Sequence, residues 1–505
     1  ILIKGMEYIS TRNNKKTFSF KDVFLKGLAP DGGLFIPKKF KKYSQSELRE
    51  MAKLNYIDLA TKIVREFCGN NLQEKELKNI IKKSYSSFST NPLKFDFIHY
   101  KKTVDIDPGI GTLCPLYYGP TLSFKDFAMQ PIGNIYEHFL KEDNKKINII
   151  VATSGDTGSA AIAALKGKSN INVFVLHPDN KISNIQRRLM TTIDSKNVYN
   201  LAIKGSFDDC QRLVKDMFGD KKFSQRINMS AVNSINWARV MFQIVYYFFI
   251  TLQSNYYQIP LSKKKRKWHD FIPDVKEYIF SIPTGNFGNV YAGYVAKKMG
   301  LPIKKFLIAT NKNDILCRVV NSGKYRPSKT KPSISPSMDI QTASNFERFL
   351  YDAVGKDDAK VKSLMNKLKN QGNYSLNNEE MKYVKKFFCA YTCTDETIKE
   401  YMGYSDYDSG YDGSIDPHTA TATFAADSYV SHNKKDFEGI KNPLFCPIFI
   451  LGTADPCKFP ETVKDATGVK PKIPKSIKNI LNKKENYVKL NNNIDVVKNY
   501  ILKKI

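Results

Sequence analysis

Histidine and cysteine are scarce in this chain, with six His and eight Cys among 505 residues. Cys389 and Cys393 lie close in sequence, but no second Cys or His pair joins them, so the spacing excludes a zinc set. The cysteines are scattered without a framework, which argues against a disulfide-stapled scaffold and fits reduced thiols in a cytosol. Long apolar runs are missing too. The most apolar stretch, residues 240–252, contains Gln243 and is too short to span a bilayer, so a buried helix is expected there and no membrane partner. Residues 1–8 lack the charged, apolar and small-residue segments of a secretory signal, and a cytoplasmic location is expected. No internal repeat or long low-complexity tract occurs.

Carboxylates are outnumbered, 49 Asp and Glu against 79 Lys and Arg, for a net charge of +30. Such a balance can mark a nucleic-acid binder. Here the lysines are spread along the whole chain, without the interleaved stacking aromatics of a recognisable module. A Lys-rich surface therefore accounts for the charge, and no nucleic-acid partner is expected. The compact basic run at 263–267, just before Trp268, reads as an exposed insertion between a helix and a strand.

What is present is globular: 42% hydrophobic and 12% aromatic residues exclude a disordered chain. At this length two or three packed units are expected. Residues 147–152 form a short apolar strand pattern, 155–166 a small-residue helix and 171–176 a β-rich strand. That is a βαβ unit, which implies parallel pairing and a right-handed crossover. The pattern returns at 277–282, 289–298 and 305–310, and a further apolar strand at 446–451 ends in Gly452-Thr453. The chain thus reads as α/β, with mostly parallel sheets and flanking helices in two lobes. The expected divisions are an N-terminal region (1–95), a catalytic lobe (96–265), a larger lobe (266–480) with a helical insertion at about 344–404, and a C-terminal tail (481–505).

Ligands of such sheets bind beyond the carboxyl ends of strands, and three motifs fall there. Thr284-Gly285-Asn286-Phe287-Gly288-Asn289 joins a strand to a helix, with glycines that let a ligand approach and amides that favour a phosphate. It matches neither the Walker loop nor the dinucleotide fingerprint, and by itself a plain strand-to-helix turn explains it equally well. Thr153-Ser154-Gly155-Asp156-Thr157-Gly158-Ser159 concentrates hydroxyls and bare amides at another helix start, suited to an anion such as a carboxylate. N-capping accounts for one or two of these side chains, but hardly for all of them. The third, Gly119-Pro120-Thr121-Leu122-Ser123-Phe124-Lys125-Asp126-Phe127, sets Lys125 among aromatics; burial there would lower its proton affinity, as a nucleophilic amine requires. Alone, one Lys among so many reads as a surface residue.

Together these motifs resemble one family. Residues 119–130 look like the cofactor-lysine segment of threonine synthases, and 152–161 like their substrate-carboxylate loop. Asn233-Ser234-Ile235-Asn236-Trp237-Ala238-Arg239, Ser335-Pro336-Ser337-Met338-Asp339-Ile340, Ser344-Asn345-Phe346-Glu347-Arg348 and Asp416-Pro417-His418-Thr419-Ala420 are further hallmarks in the same order. Tyr8-Ile9-Ser10-Thr11-Arg12 and residues 27–37 match the N-terminal region, so the resemblance runs from about Tyr8 to Gly468.

The resemblance implies a fold-type II enzyme with pyridoxal 5'-phosphate, converting O-phosphohomoserine and water to threonine and phosphate. By matched motif, Lys125 would hold the cofactor as a Schiff base and act as general base. Gly285, Asn286, Phe287 and Asn289 would bind its phosphate, and Thr453 its pyridine nitrogen. Ser154, Gly155, Asp156 and Thr157 would take the substrate carboxylate. Asn236 and Arg239 are expected to take the substrate phosphate, Arg offering a planar fork; a carboxylate partner for Arg239 at a helix interface is an equal alternative. Three positions depart from the family: Tyr118 and Asp455, each where His is common, and Asn289, where Asp is common. A related phospho-lyase, releasing a 2-oxo acid and ammonia, is the rival outcome. Between monomer and homodimer the sequence does not choose.

Overall fold

The computed structural model describes residues 5–89, 98–100, 111–180, 182–257, 277–402, 414–437 and 448–505. The basic run at 263–267 and Trp268 lie outside them. Two sheets organise the chain. The larger has the strand order Phe388–Thr392, Ile303–Thr310, Tyr278–Pro283, Ile448–Gly452, Gly111–Pro115, Ile98–Tyr100, parallel except for the last. The smaller is parallel throughout, in the order Val488–Asn491, Val198–Lys204, Ile171–Pro178, Ile147–Ala152, Met229–Ser230. An antiparallel three-stranded sheet of Asn13–Phe18, Tyr8–Ser10 and Phe35–Pro37 makes the small N-terminal region.

The expected βαβ elements lie where periodicity placed them, as Ile147–Ala152, Asp156–Leu165 and Ile171–Pro178, and as Tyr278–Pro283, Gly288–Lys298 and Ile303–Thr310. Sheet membership does not follow the linear divisions, however. Gly111–Pro115, placed in the catalytic lobe, hydrogen-bonds to Ile448–Gly452 in the larger sheet. Phe388–Thr392, inside the expected helical insertion, is an edge strand of that sheet. The expected tail is no tail: Val488–Asn491 extends the smaller sheet, and Val497 and Ile501 of the helix Ile494–Leu502 are buried beside Leu213 and Met217 of the helix Phe207–Gly219. Pairing across such sequence distances leaves no local pattern to read.

The apolar stretch at 240–252 lies within one long helix, Trp237–Tyr257. Residues from Trp237 to Ile250 are buried, because helices Tyr56–Cys68, Asp126–Glu142 and Gly288–Lys298 all pack around it. A helix enclosed on every side carries apolar residues all round. Among the described residues no helix is long and apolar enough to cross a membrane. The helices Asp126–Glu142 and Asp156–Leu165 approach so closely that a Cβ on Gly133 would lie 2.3 Å from the Ala164 carbonyl oxygen. This close crossing sets the helix that starts after Lys125 against the helix that starts after Gly155.

Candidate active site

One cavity of ≈ 1370 Å³ lies between the sheets, where loops leave the carboxyl ends of Gly111–Pro115, Ile147–Ala152, Tyr278–Pro283 and Ile448–Gly452. Lys125, Ser154, Asp156, Thr157, Arg239, Gly285, Asn286, Phe287, Asn289 and Thr453 all line it. Loops more than 300 residues apart in sequence are thus brought to one place by the parallel arrangement.

The turn before Lys125 is held by Asp126, whose carboxylate accepts from the Thr121 amide and the Thr121 hydroxyl, each at 2.8 Å. A Cβ at Gly119 would stand 2.4 Å from Asp126 Cβ, so only glycine fits there. The turn is tied to the opposite loop by Phe124 N–H on the Thr453 carbonyl (2.9 Å) and Asp455 N–H on the Leu122 carbonyl (3.1 Å). Lys125 Nζ lies 3.4 Å from Asp156 Oδ2 and 5.0 Å from the centre of the Phe124 ring, its side chain only 12% exposed. Burial lowers the proton affinity of Lys125; Asp156 opposes this, and the cations of Lys458 and Arg239 reinforce it. The surface reading of this lysine is overturned.

Asp156 is the hub of the second loop. Its Oδ1 accepts from Lys458 Nζ at 2.6 Å and Gln186 Nε2 at 3.0 Å, and its Oδ2 from Ser337 Oγ at 3.2 Å. Burial alone would raise this carboxyl, but Lys458 and Lys125 hold it well below the ordinary carboxylate range. Thr153 Oγ1 accepts from the amides of Gly155 and Gly158, both at 2.9 Å, so the expected capping falls to Thr153. The amides of Ser154, Asp156 and Thr157 donate to no acceptor among the described residues and remain for an anion at the helix start. Gly155 has φ +134, and a Cβ there would lie 2.8 Å from Gln186 Cδ.

At the third loop, Phe287 takes the left-handed conformation (φ 65) as the residue preceding helix Gly288–Lys298. The amides of Asn286, Phe287 and Gly288 donate to no acceptor among the described residues. Asn345 Nδ2 holds the loop through the carbonyls of Ser234 (3.0 Å) and Asn286 (3.1 Å). Asn289 Oδ1 accepts from the Tyr246 hydroxyl at 2.5 Å and the Tyr247 hydroxyl at 2.8 Å. This fixes the amide orientation and leaves Asn289 Nδ2 a buried donor without a partner among the described residues. An Asp here would offer acceptors only, so Asn289 supplies a donor that the more common residue lacks.

Thr453 lines the cavity, and its amide donates to Thr419 Oγ1 at 3.1 Å. Thr419 Oγ1 in turn donates to Asp416. His418 Nε2 accepts from the Ser337 amide at 3.2 Å, so Nδ1 carries the hydrogen and donates to Asp416 Oδ1 at 2.8 Å. The Asp416 motif is therefore a brace behind the Thr453 strand end and the Ser337 turn.

Among the described residues the buried Arg239 has no carboxylate partner: Nη1 lies 3.1 Å from Met129 Sδ, and Nε has no acceptor. Burial lowers its pKa to about 10. This disposes of the helix-interface pairing and leaves a guanidinium on the cavity wall. Asn236, expected beside it, does not line the cavity. Its Nδ2 donates to the Phe24 carbonyl (2.9 Å) and its Oδ1 accepts from the Ala238 amide (3.0 Å), so it starts the helix Trp237–Tyr257 and ties it to the N-terminal region. Asn233 and Ser234 line the cavity instead. Of the departures, Tyr118 is outside the lining, and Asp455 caps the short turn Pro456–Lys458 by accepting from the Cys457 amide at 2.9 Å. That turn carries Lys458, a site residue that sequence reasoning missed because nothing distinguishes it from the other lysines.

A buried amine of lowered proton affinity, a loop of free amides with the Asn289 donor, and a hydroxyl at Thr453 fit pyridoxal phosphate. Residues 116–376 match the family described as pyridoxal-phosphate dependent enzyme, which defines the class. Residues 7–85 match the threonine synthase N terminus and 419–501 the threonine synthase C-terminal family. The chain is 37% identical to threonine synthase of Pseudomonas aeruginosa over 98% of both chains, and 40% identical to that of Saccharomyces cerevisiae over 91% of this chain and 88% of that one. Among solved structures, it resembles yeast threonine synthase with a TM-score of 0.87 and PLP-bound threonine synthase from Brucella melitensis with 0.85, each 35% identical over 99% of both chains. The chain belongs to the threonine synthase family.

Proposed function

We propose that this enzyme converts O-phospho-L-homoserine and water to L-threonine and phosphate, by γ-elimination followed by β-addition of water. The observation that carries the reading is a single cavity joining the buried Lys125 amine to separate anion-binding groups at Ser154–Thr157 and Arg239. A substrate with a carboxylate at one end and a phosphate at the other needs such a division.

Lys125 would hold pyridoxal phosphate covalently, with Gly285, Asn286, Phe287 and Asn289 around its phosphate and Thr453 at its ring nitrogen. When bound, the cofactor supplies an electron sink for negative charge developing at the carbons of an attached amino acid. A neutral hydroxyl at Thr453 does not hold a proton on the ring as a carboxylate would. Proton movements consequently fall to placed side chains. Lys125, its proton affinity lowered by burial, would serve as the base at Cα and then at Cβ. The free amides of Ser154, Asp156 and Thr157, with Gly155 letting the chain approach, orient the substrate carboxylate. Arg239 receives the phosphate and holds it as it departs; Asn233 lines the same cavity.

The net charge of +30 draws an anionic substrate inward, with an effect on rate that falls with salt. We place the enzyme in the cytoplasm, acting on a small molecule without nucleic acid or membrane; the free state of Cys68, Cys114, Cys210 and Cys393 supports a reducing compartment. Incubation with O-phosphohomoserine, followed by assay of threonine, phosphate and 2-oxobutyrate, tests the reaction. Threonine and phosphate in equal amounts are expected. Oxo acid and ammonia without threonine would replace synthesis by the lyase outcome.

A further inference from the structure

Lys458 is fully buried at the end of the turn Pro456–Lys458. Its ammonium donates to Asp156 Oδ1 at 2.6 Å and to the Thr121 carbonyl at 2.8 Å. Its own carbonyl accepts from Ser183 Oγ at 2.7 Å, and its amide donates to the Asp455 carbonyl at 3.1 Å. One residue thereby ties together the lysine turn, the carboxylate loop and the helix Asn184–Thr191. Lys125 reaches the same carboxylate only at 3.4 Å.

Two ammonium groups therefore share one carboxylate, and the shorter contact belongs to the lysine that does no chemistry. We propose that Lys458 is a positioning residue that occupies Asp156, so that Lys125 is not locked into an ion pair and stays free as an amine. The idea rests on the reading of Lys125 as the cofactor lysine and deepens it. A buried amine left alone with Asp156 would be held protonated by it. With Lys458 present, the carboxylate is already compensated, and a second positive charge beside Lys125 opposes protonation further. The charged groups facing Lys125 are Asp156, Lys458 and Arg239; the titratable groups facing Lys458 and Asp156 include Asp126, Asp455 and His418. The directions at Lys125 agree: burial, Lys458 and Arg239 lower its proton affinity, and Asp156 alone raises it.

The test reads the Lys125 amine directly and does not depend on the reaction catalysed. The full-length chain, freed of cofactor, is acylated with acetic anhydride over a series of pH values, and modification of Lys125 is followed by mass spectrometry. Lys458→Met is expected to raise the midpoint by about one pH unit, which is about tenfold slower labelling below it. Lys458→Arg, which keeps the charge, should stay near the wild-type midpoint. An unchanged or lowered midpoint in a folded Lys458→Met protein overturns the proposal. If that variant does not fold, Lys458→Gln is labelled in its place: the midpoint should rise, and no rise overturns the proposal. Failure of the proposed reaction would show instead as absence of threonine from O-phosphohomoserine, whatever the labelling midpoint.

Discussion

Replacing Arg239 by Met should make the protein more stable and a poorer enzyme at once. Arg239 is 5% exposed and, among the described residues, lacks a carboxylate partner and has an Nε without an acceptor. Its pKa, lowered by burial from 12.5 to about 10, puts the cost of keeping this charge at about 3 kcal/mol, at about 1.4 kcal/mol per unit. Met has a similar length and no charge, so the ligand-free variant should gain about 1–3 kcal/mol, as buried ions replaced by apolar groups often do. If Arg239 receives the substrate phosphate as proposed, the same change removes two charge-assisted hydrogen bonds to it, each worth about 1.5–3 kcal/mol. The threonine-forming kcat/KM should fall by about 10²–10⁴-fold. Thermal melting of both proteins, each with pyridoxal phosphate bound and with or without inorganic phosphate, separates the two effects. Phosphate should raise the Tm of the wild type more than that of Arg239→Met, since only a bound ligand stabilises the fold. A lower Tm for the variant, with unchanged kcat/KM and an equal response to phosphate, would mean that Arg239 serves the fold alone.

Asn236→Ala should lower stability by about 1–2 kcal/mol through the lost cap and the abandoned Phe24 carbonyl, leaving KM near wild type, whereas Asn233→Ala should raise KM with little change in Tm; steady-state kinetics with melting curves distinguish them. Gly133→Ala should cost about 1–3 kcal/mol and reduce kcat, because its methyl would push the Ala164 carbonyl away and shift the two helices that set Lys125 against the carboxylate loop; unchanged kcat and Tm would refute this. Glu137 meets Lys168, Lys83 and Lys141. Burial would raise its carboxyl, but these lysines lower it from 4.5 to about 2. A lowered carboxyl contributes stability above its unfolded pKa and loses it as pH falls through the folded value. Discounted for solvent screening, Glu137→Gln should destabilise by about 1 kcal/mol at neutral pH and not at all below about pH 2, as denaturant titrations at several pH values would show.

The helices and strands that hold the site were largely legible, as was the backbone geometry of two of its loops. Ile147–Ala152 and Asp156–Leu165 announce themselves by apolar period and small residues, and Gly155 and Gly285 by backbone requirements that act within a few residues. Roles inside a motif were harder. Asn233 and Asn236 stand in one run, and only the direction of the helix start sends the first to the cavity and the second to Phe24. The edge strand Val488–Asn491 looked like a tail because its hydrogen-bonding partner, Val198–Lys204, is remote in sequence.

By itself the sequence determined the α/β class, the three loops at strand ends and, through its run of motifs, the family. These depend on local periodicity, local backbone geometry and the order of residues along the chain. Tertiary structure alone decided that Lys125 is buried, that Asn289 presents a donor because Tyr246 and Tyr247 hold its oxygen, and that Lys458 meets Thr121 from 337 residues away. Burial and the partner of a buried polar group are products of packing between distant segments, and the proton affinity of an amine follows from both.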